Sequence, residues 1–579
     1  MFFCRLSNKK IFQPLPQLEG YTELENLGDG IEFSFNPECR ILSFGSCQNH
    51  FAILFGKIFN VDHLSKEIPS RGPVGLSQIQ KLIILSQRHK ENLPSLLHGN
   101  FILAMININT NEITLTKSPL NKYHLFFTCK NGSVYLSPSV PLIKRSAPIS
   151  CEINRDRVID MIARTNLISD CTFYNDINQV TAGEVVKITN FERISRDNYF
   201  ETDIKIKRRD LDSYARGLNE ILENSIKRQL DPSDKIICEL SGGLDSSAIA
   251  ARLAGLTEHL ICISNFTTEE SLQALGLNPI LANERQLRDF SEAYKNTNII
   301  RIDERFVECS YQEITKFCFD QSSGPEYGIT NMLWIYSFFR FAEKNNYNKI
   351  FNGYFGDDAY SYKHKAPGIR GMIGSVIPEA IKRNRRRSVF EKALNSSPLQ
   401  DFKDALLDRV YQGIELKSAS LSRESRIHRT NSTASSCTAI DTAMLNSLNI
   451  EMVQPLADFE LVNYCLSIPE KAFHHGSVDR YIARVSNKGI LPDSIRLNRI
   501  KGKQSPRWHV QLKKELPYYF SLVEKFKSNE LISELIDLEV LKSCMQFFQH
   551  HPENKIKDHI EFHWLPYTLH ICEWISLHD

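Results

Sequence analysis

The chain has 579 residues, a charged fraction of 24% and a net charge of only +2 at neutral pH. It therefore exerts no global pull on nucleic acid or an anionic membrane surface. Its apolar fraction of 42% is ordinary for a globular protein, and no run approaches the roughly eighteen apolar residues that a membrane-spanning helix needs. The opening MFFCRLSNKK meets charge after four residues and lacks the apolar core of a signal peptide. The cysteines, scattered from Cys4 to Cys572, form no C-x-x-C pair and no zinc-like spacing. A soluble cytoplasmic protein with reduced thiols is the expectation. Length alone suggests roughly three or four domains; the motifs below argue for two.

Up to about residue 200 short apolar runs alternate with turn residues: GNFILAMINI from Gly99, EITLTKS from Glu112, KYHLFFTC from Lys122, GSVYLSPS from Gly132 and AGEVVKITN from Ala182. Their β-branched and aromatic content and their Asn, Gly, Ser and Pro borders predict strands of a mostly antiparallel sheet. SQIQKLIILSQRHKENL, from Ser77, has helical spacing. The texture changes near Lys205, where Leu211, Tyr214, Leu218, Ile221, Leu222 and Ile226 recur at helical intervals. The domains expected are thus 1–204 and 205–579. In the second, strand-like HLICISNF and NKIFNGYF alternate with helical NERQLRDFSEAYKN and NMLWIYSFFRFAEKN, the pattern of parallel α/β architecture. Beyond about residue 370 the pattern is mainly helical, interrupted by a Ser/Thr/Arg-rich loop at 418–436. The basic runs IKRRD and IKRNRRRS lack the aromatic interleaving that base stacking needs, so nucleic acid is not an expected partner.

One stretch concentrates the chemistry. In KIICELSGGLDSSAIAARLAGL, from Lys235, an apolar strand stops at Ser241-Gly242-Gly243, and Leu244, Asp245, Ser246 and Ser247 open a helix. Paired glycines let the backbone approach a ligand, and the helix start aims amides and the positive end of its dipole at that point. An anion belongs there, yet Asp245 is itself acidic. A divalent cation between carboxylate and phosphate oxygens resolves the conflict. The plain alternative is that Asp245 and Ser246 simply cap the helix. The lysine and spacing of the G-x-x-x-x-G-K-[ST] phosphate loop are absent.

The full string S-G-G-L-D-S-S behind an apolar strand resembles the PP-motif of ATP pyrophosphatases, which split ATP between its α- and β-phosphates. KIFNGYFGDDAY, from Lys349, resembles the second turn of asparagine synthetases and, more closely, the G-Y-x-x-D turn of β-lactam synthetase. A third segment, VQPLADFELVNYCLSIPEKAFHHGSVDRYIARVSNKGILPDSIRLNRIKGKQSP from Val453, carries a P-L-x-D turn, a D-R-x-x-x-R helix, L-P and R-x-K-G. In that form it looks most like the lasso peptide cyclases of the asparagine synthetase-like group. The N-terminal runs resemble the strand hairpin of a glutaminase domain. The resemblance covers most of the chain except the stretch 365–450.

The resemblance implies an α/β protein. An Ntn-hydrolase-like αββα sandwich, glutaminase-like but without its nucleophile, precedes a PP-loop (HUP-type) parallel α/β domain with a helical C-terminal part. It also implies ATP and Mg2+. Leu240, Ser241, Gly242, Gly243, Leu244, Asp245, Ser246, Ser247, Ser264, Asn352 and Gly353 would contact the nucleotide, and Asp245 and Asp357 would hold the metal. Lys501 would steady the oxyanion and the departing phosphate, with Lys503 as the competing choice, and Tyr354 matches a tyrosine implicated in activating the amine. Asparagine synthetases draw ammonia from glutamine with a cysteine exposed at the start of the chain; here Phe2 stands second, and Cys4 reads as a strand residue. Without an ammonia source the amine must come from the substrate. The expected reaction is ATP-dependent macrolactam formation in a ribosomal precursor peptide. An Asp or Glu side chain is adenylated, pyrophosphate leaves, and the peptide's N-terminal amine closes the ring at high effective concentration. A leader-cleaving protease and a leader-binding protein are the implied partners. The alternatives are a β-lactam synthetase-like small-molecule ligase, a glutamine-independent asparagine synthetase-type enzyme, a tRNA-modifying ligase, and an inactive scaffold that binds a precursor peptide.

Overall fold

The computed structural model describes residues 1–7, 22–24, 30–68, 75–162, 171–199, 206, 209–268, 273, 284–303, 310–321, 324–325, 328–362, 439–500, 507–550 and 565–578. The first part of the chain forms β1 (Phe2–Ser7), β2 (Thr22–Leu24), β3 (Ile31–Phe35), β4 (Leu42–Cys47), β5 (His50–Ile58), β6 (Gly99–Asn107), β7 (Glu112–Lys117), β8 (Phe126–Lys130), β9 (Ser133–Ser137), β10 (Asn178–Gln179), β11 (Glu184–Thr189) and β12 (Arg193–Asn198). They assemble into two six-stranded sheets, β10-β8-β9-β1-β3-β2 and β12-β11-β7-β6-β5-β4. Every pairing is antiparallel.

The period of two in a strand explains why β5 and β6 read as unbroken apolar runs. Phe51, Ile53 and Phe55, with Ile102, Ala104 and Ile106, face the other sheet and meet Phe2, Cys4 and Leu6. Their alternates Ala52, Leu54, Phe101 and Leu103 lie under the helix Gln78–His89. That helix begins at a capping box: Ser77 accepts from the Gln80 amide while the Gln80 side chain accepts from the Ser77 amide. On the far side, Phe3 packs with the helices Val140–Ser146 and Arg155–Ile162. The result is the expected αββα sandwich. One expected strand is shortened: KYHLFFTC becomes strand only at Phe126, because the Tyr123 hydroxyl turns to the second half of the chain and donates to Glu451 Oε1 at 2.9 Å.

The second half is built on β13 (Ile236–Glu239), β14 (Leu260–Asn265), β15 (Thr297–Ile302), β16 (Lys349–Phe351) and β17 (Glu451–Val453). These form a parallel sheet in the order β15-β14-β13-β16-β17. Ile237, Ile263, Ile350 and Met452 pack against the helices Tyr311–Gln321 and Ile329–Lys344 on one face. Cys238, Cys262, Phe351 and Val453 pack under the helices Leu211–Gln229, Leu244–Leu256 and Phe459–Ser467 on the other. The sheet is therefore doubly wound. The chain leaves β13 towards β14 and β15, then returns to place β16 on the opposite side, so the switch point lies between β13 and β16. In such sheets the ligand crevice opens there, beyond the carboxyl ends of the strands.

The halves are joined by more than the Tyr123 contact. Leu445 enters the core between the antiparallel sheets. Trp574, on the helix Leu565–His578, which is buried as far as Ile575, packs against Phe173 and Tyr174 at 5.2 and 5.7 Å. The expected boundary at 204/205, Lys501, Lys503 and the 418–436 loop lie outside the described residues. Among the described residues no helix is long and apolar enough to cross a membrane.

Candidate active site

Both acidic motifs fall on the switch point, because one follows β13 and the other follows β16. At the end of β13 the buried Leu240 donates its amide to Ile263 O at 2.8 Å, and the chain turns. Gly242 takes φ +71°, a left-handed value suited to glycine. Gly243 is the N-cap of the helix Leu244–Leu256 and supplies no side chain to its first amides. The capping alternative for Asp245 therefore fails: Asp245 lies inside the first turn. Ser246 closes the loop instead, its Oγ accepting from the Ser241 amide at 3.1 Å and lying 2.9 Å from Ser241 Oγ. Ser247 Oγ is fully buried and has no hydrogen-bond partner among the described residues. The carboxyl of Glu239, half-buried at the end of β13, is pushed up to about 7 by desolvation.

The second turn packs directly on the first. Asn352 is buried; its amide donates to Val453 O at 3.0 Å, and its Oδ1 accepts from the Tyr354 amide at 3.1 Å. A Cβ on Gly353 would stand 2.6 Å from Ser246 N, and one on Gly356 would stand 2.3 Å from Asp245 Cγ. Only hydrogen fits at either position. Phe355 bridges them in a left-handed conformation, φ +69°. Asp357 follows at once, half-exposed beside Asp245.

The two carboxylates meet on a third group. Arg480 Nη2 pairs with Asp357 Oδ1, and Nη1 lies 3.9 Å from Asp245 Oδ2. Arg480 comes from the D-R-x-x-x-R run that the sequence displays, although sequence reasoning gave it no role. The motif was its only signal. Deeper still, Arg252 ties the helix to its neighbours: its guanidinium donates to Asn219 Oδ1 at 2.6 Å and Asn487 Oδ1 at 3.2 Å.

Leu240, Ser241, Gly242, Gly243, Leu244, Asp245, Ser246, Ser247, Asn352, Gly353 and Asp357 are thus brought together. Ser264 is buried one strand over; since Ile263 pairs with Glu239, it stands level with Leu240 at the carboxyl end of β14. Tyr354 is 38% exposed at the mouth of the second turn, its ring edge-on to Phe355 at 5.4 Å. Among the described residues no three or more metal-binding side chains converge. Two carboxylates completed by phosphate oxygens form a donor set that suits magnesium.

A doubly wound parallel domain with two acidic glycine turns at its switch point, behind an αββα sandwich, defines the class. The chain belongs to the asparagine synthase family, which matches residues 217–558, more than half of its length. It is similar to three asparagine synthetases, named as glutamine-hydrolysing, of Bacillus subtilis strain 168. Synthetase 3 is 21% identical over 85% of this chain and 81% of its own length. Synthetase 1 is 22% identical over 42% of this chain, and synthetase 2 is 23% identical over 47%. Those two matches span only 39% and 37% of the relatives' own lengths. Among solved structures, an allosteric regulatory enzyme of purine biosynthesis is 10% identical, with a TM-score of 0.22 over 47% of this chain and 66% of that one. The glutamine phosphoribosylpyrophosphate amidotransferase of B. subtilis, complexed with ADP and GMP, is also 10% identical, with a TM-score of 0.21 over 47% and 67%. Both likenesses are too slight to bear on the site.

Proposed function

We propose that the protein is an ATP-dependent amide ligase that closes a macrolactam in a ribosomal precursor peptide. The observation that carries the ligase reading is the meeting of Asp245 and Asp357 at the switch point of the parallel sheet. Asp245 and Asp357 would hold magnesium, which when bound neutralises charge on the nucleotide's phosphates. The turn Ser241–Gly243 and the uncapped amides of the helix Leu244–Leu256 receive the phosphates. Ser264, Asn352 and Gly353 orient the remainder of the nucleotide.

In the reaction an Asp or Glu carboxylate oxygen of the peptide bonds to the α-phosphorus, and the bond to the β-phosphate oxygen breaks, releasing pyrophosphate. The peptide's amine then bonds to the acyl carbon, AMP departs, and the amine's proton is lost. Lys501 is assigned to the developing oxyanion and Tyr354 to the amine. The exposure of Tyr354 at the lip of the second turn supports a role towards an incoming chain.

Two features of β1 favour an amine supplied by the substrate over one released from glutamine. The ring of Phe2 is wholly buried against Phe33 and Phe55, with centroids 6.0 Å away in each case. The thiol of Cys4 is buried, and burial reinforced by Glu32 raises its pKa far above the ordinary range, which disarms it as a nucleophile. A β-lactam synthetase-like small-molecule ligase is the second reading, favoured by the Gly353-Tyr354 turn. A precursor peptide, a leader-cleaving protease and a leader-binding protein are the partners this proposal assigns.

The test is pyrophosphate release with candidate substrates, followed by mass analysis. Peptide-dependent release with a product lighter by one water supports the cyclase. Release with a small amino acid derivative alone supports the second reading. Release undiminished in Asp245→Ala would remove the ligase reading altogether.

A further inference from the structure

Arg480 fills the space between the two motif carboxylates, yet it belongs to neither motif turn. It follows the two-stranded hairpin His474–His475 and Val478–Asp479 and opens the short helix Tyr481–Ser486. Its backbone sits at φ +55°, ψ +30°, a left-handed conformation that a side-chain-bearing residue keeps only when its surroundings enforce it. The enforcement comes from Arg484, one turn on, which is buried and donates Nε to Asp479 O at 2.9 Å and Nη1 to Arg496 O at 2.6 Å. The guanidinium of Arg480 is thereby presented to Asp357 and Asp245, with only 17% of the side chain exposed.

We propose that Arg480 is the internal counter-cation of the nucleotide-free protein: it holds Asp245 and Asp357 together, and it must be displaced when magnesium takes the same two carboxylates. The inference rests on the metal assignment made under the proposed function. Two carboxylates drawn close repel unless a cation lies between them. A guanidinium satisfies this through its planar fork, and a divalent ion satisfies it through direct coordination. A divalent ion held by the same two carboxylates would lie close against the guanidinium, and like charges repel. The two are therefore negatively coupled, and the coupling is reciprocal: whatever Arg480 gains by holding the pair is subtracted from the affinity for metal alone. Nucleotide relieves the competition, because its phosphates supply metal ligands and leave the released guanidinium beside an anion. Metal alone binds poorly, and metal with nucleotide binds well. Arg480 is in this sense a positioning residue.

The experiment is a Mn2+ titration of the full chain, with free Mn2+ read by electron paramagnetic resonance, with and without a non-hydrolysable ATP analogue. Without nucleotide, Arg480→Met binds Mn2+ roughly tenfold more tightly than wild type, the middle of the usual range of site-to-site coupling. With the analogue this advantage disappears. Arg480→Lys keeps the charge but lacks the fork and gives an intermediate affinity. Unchanged or weaker Mn2+ binding by a folded Arg480→Met overturns the proposal. If that variant does not fold, unchanged affinity in Arg480→Lys overturns it instead. Asp245→Asn and Asp357→Asn separate the two claims. Should they leave Mn2+ binding with the analogue intact, the metal assignment fails and the inference falls with it. Should they abolish binding while the Arg480 variants match wild type without nucleotide, the Arg480 inference alone fails.

Discussion

Replacing Gly353 by alanine tests the contact between the two acidic turns. The added Cβ stands 2.6 Å from Ser246 N and 3.0 Å from both Asp245 C and Ser246 Cα, where ordinary contacts begin at 3.4 Å. All three neighbours are backbone, so no rotamer change relieves the clash, and the turns must part by about 0.8 Å. Overpacking of this kind costs about 1–3 kcal/mol. It also moves Asp245 relative to Asp357, and a displacement near 1 Å at a reacting centre costs roughly a hundredfold in rate. Gly353→Ala is therefore expected to lower the midpoint of denaturation and to reduce pyrophosphate release by about two orders of magnitude. The control lies on the helix Leu244–Leu256, which carries Asp245: a Cβ on Gly255 meets nothing within 4 Å. Gly255→Ala should be neutral or stabilising by up to ~1 kcal/mol, since alanine is the better helix former, with activity unchanged. Wild-type stability and turnover in Gly353→Ala would refute the claim that the turns are in enforced contact.

Three further outcomes follow from the same structure. Ser246→Ala removes both bonds that close the first turn and should cost ~1–2 kcal/mol by denaturant titration, whereas Ser247→Ala discards a hydroxyl without a partner and should leave stability within about 0.5 kcal/mol. If Ser247 serves the nucleotide, its variant weakens nucleotide binding while keeping that stability. Burial raises the Glu573 carboxyl from 4.5 to about 7, so the native state keeps a proton that the unfolded chain releases. Stability from this group is full below pH 4.5, declines as pH rises to about 7 and is flat beyond; at ~1.4 kcal/mol per pH unit the loss is at most ~3.5 kcal/mol. Glu573→Gln, still able to accept from the Tyr518 hydroxyl, should flatten this slope and be the more stable protein at pH 8. Finally, Tyr123→Phe deletes the 2.9 Å bond to Glu451 that links the two halves and should cost ~2 kcal/mol in denaturant titration.

The glycine-rich turns were legible in the sequence because their chemistry is local: a strand, a stop and a helix start within twenty residues. The strands β6, β7, β9 and β11 were legible through their β-branched and aromatic content and their turn borders. The helix Leu211–Gln229 was legible through its periodicity and begins at an Asp210 cap that accepts from Ser213 N at 2.8 Å. What could not be read depends on distant partners. Lys122–Leu125 resembles a strand in composition, but Tyr123 is claimed by Glu451 across the chain. The D-R-x-x-x-R run marked Arg480 without giving it a role, since neither its left-handed backbone nor the Arg484 bonds behind it leave a trace in residue order. Gly356 was legible as part of the second motif, but only the position of Asp245 shows that nothing larger fits there.

The strand order also governs when the protein becomes competent. Asp245 is presented by β13, Asp357 by β16, and Arg480 lies 123 positions beyond Asp357. During synthesis the first of these emerges well ahead of the others, and closing such long loops is a late, entropically demanding event. A nascent or partly folded copy owns the glycine turn but no second carboxylate beside it. Under the proposed function, premature ATP consumption would be prevented by topology itself, and turnover would arrive together with the finished sheet.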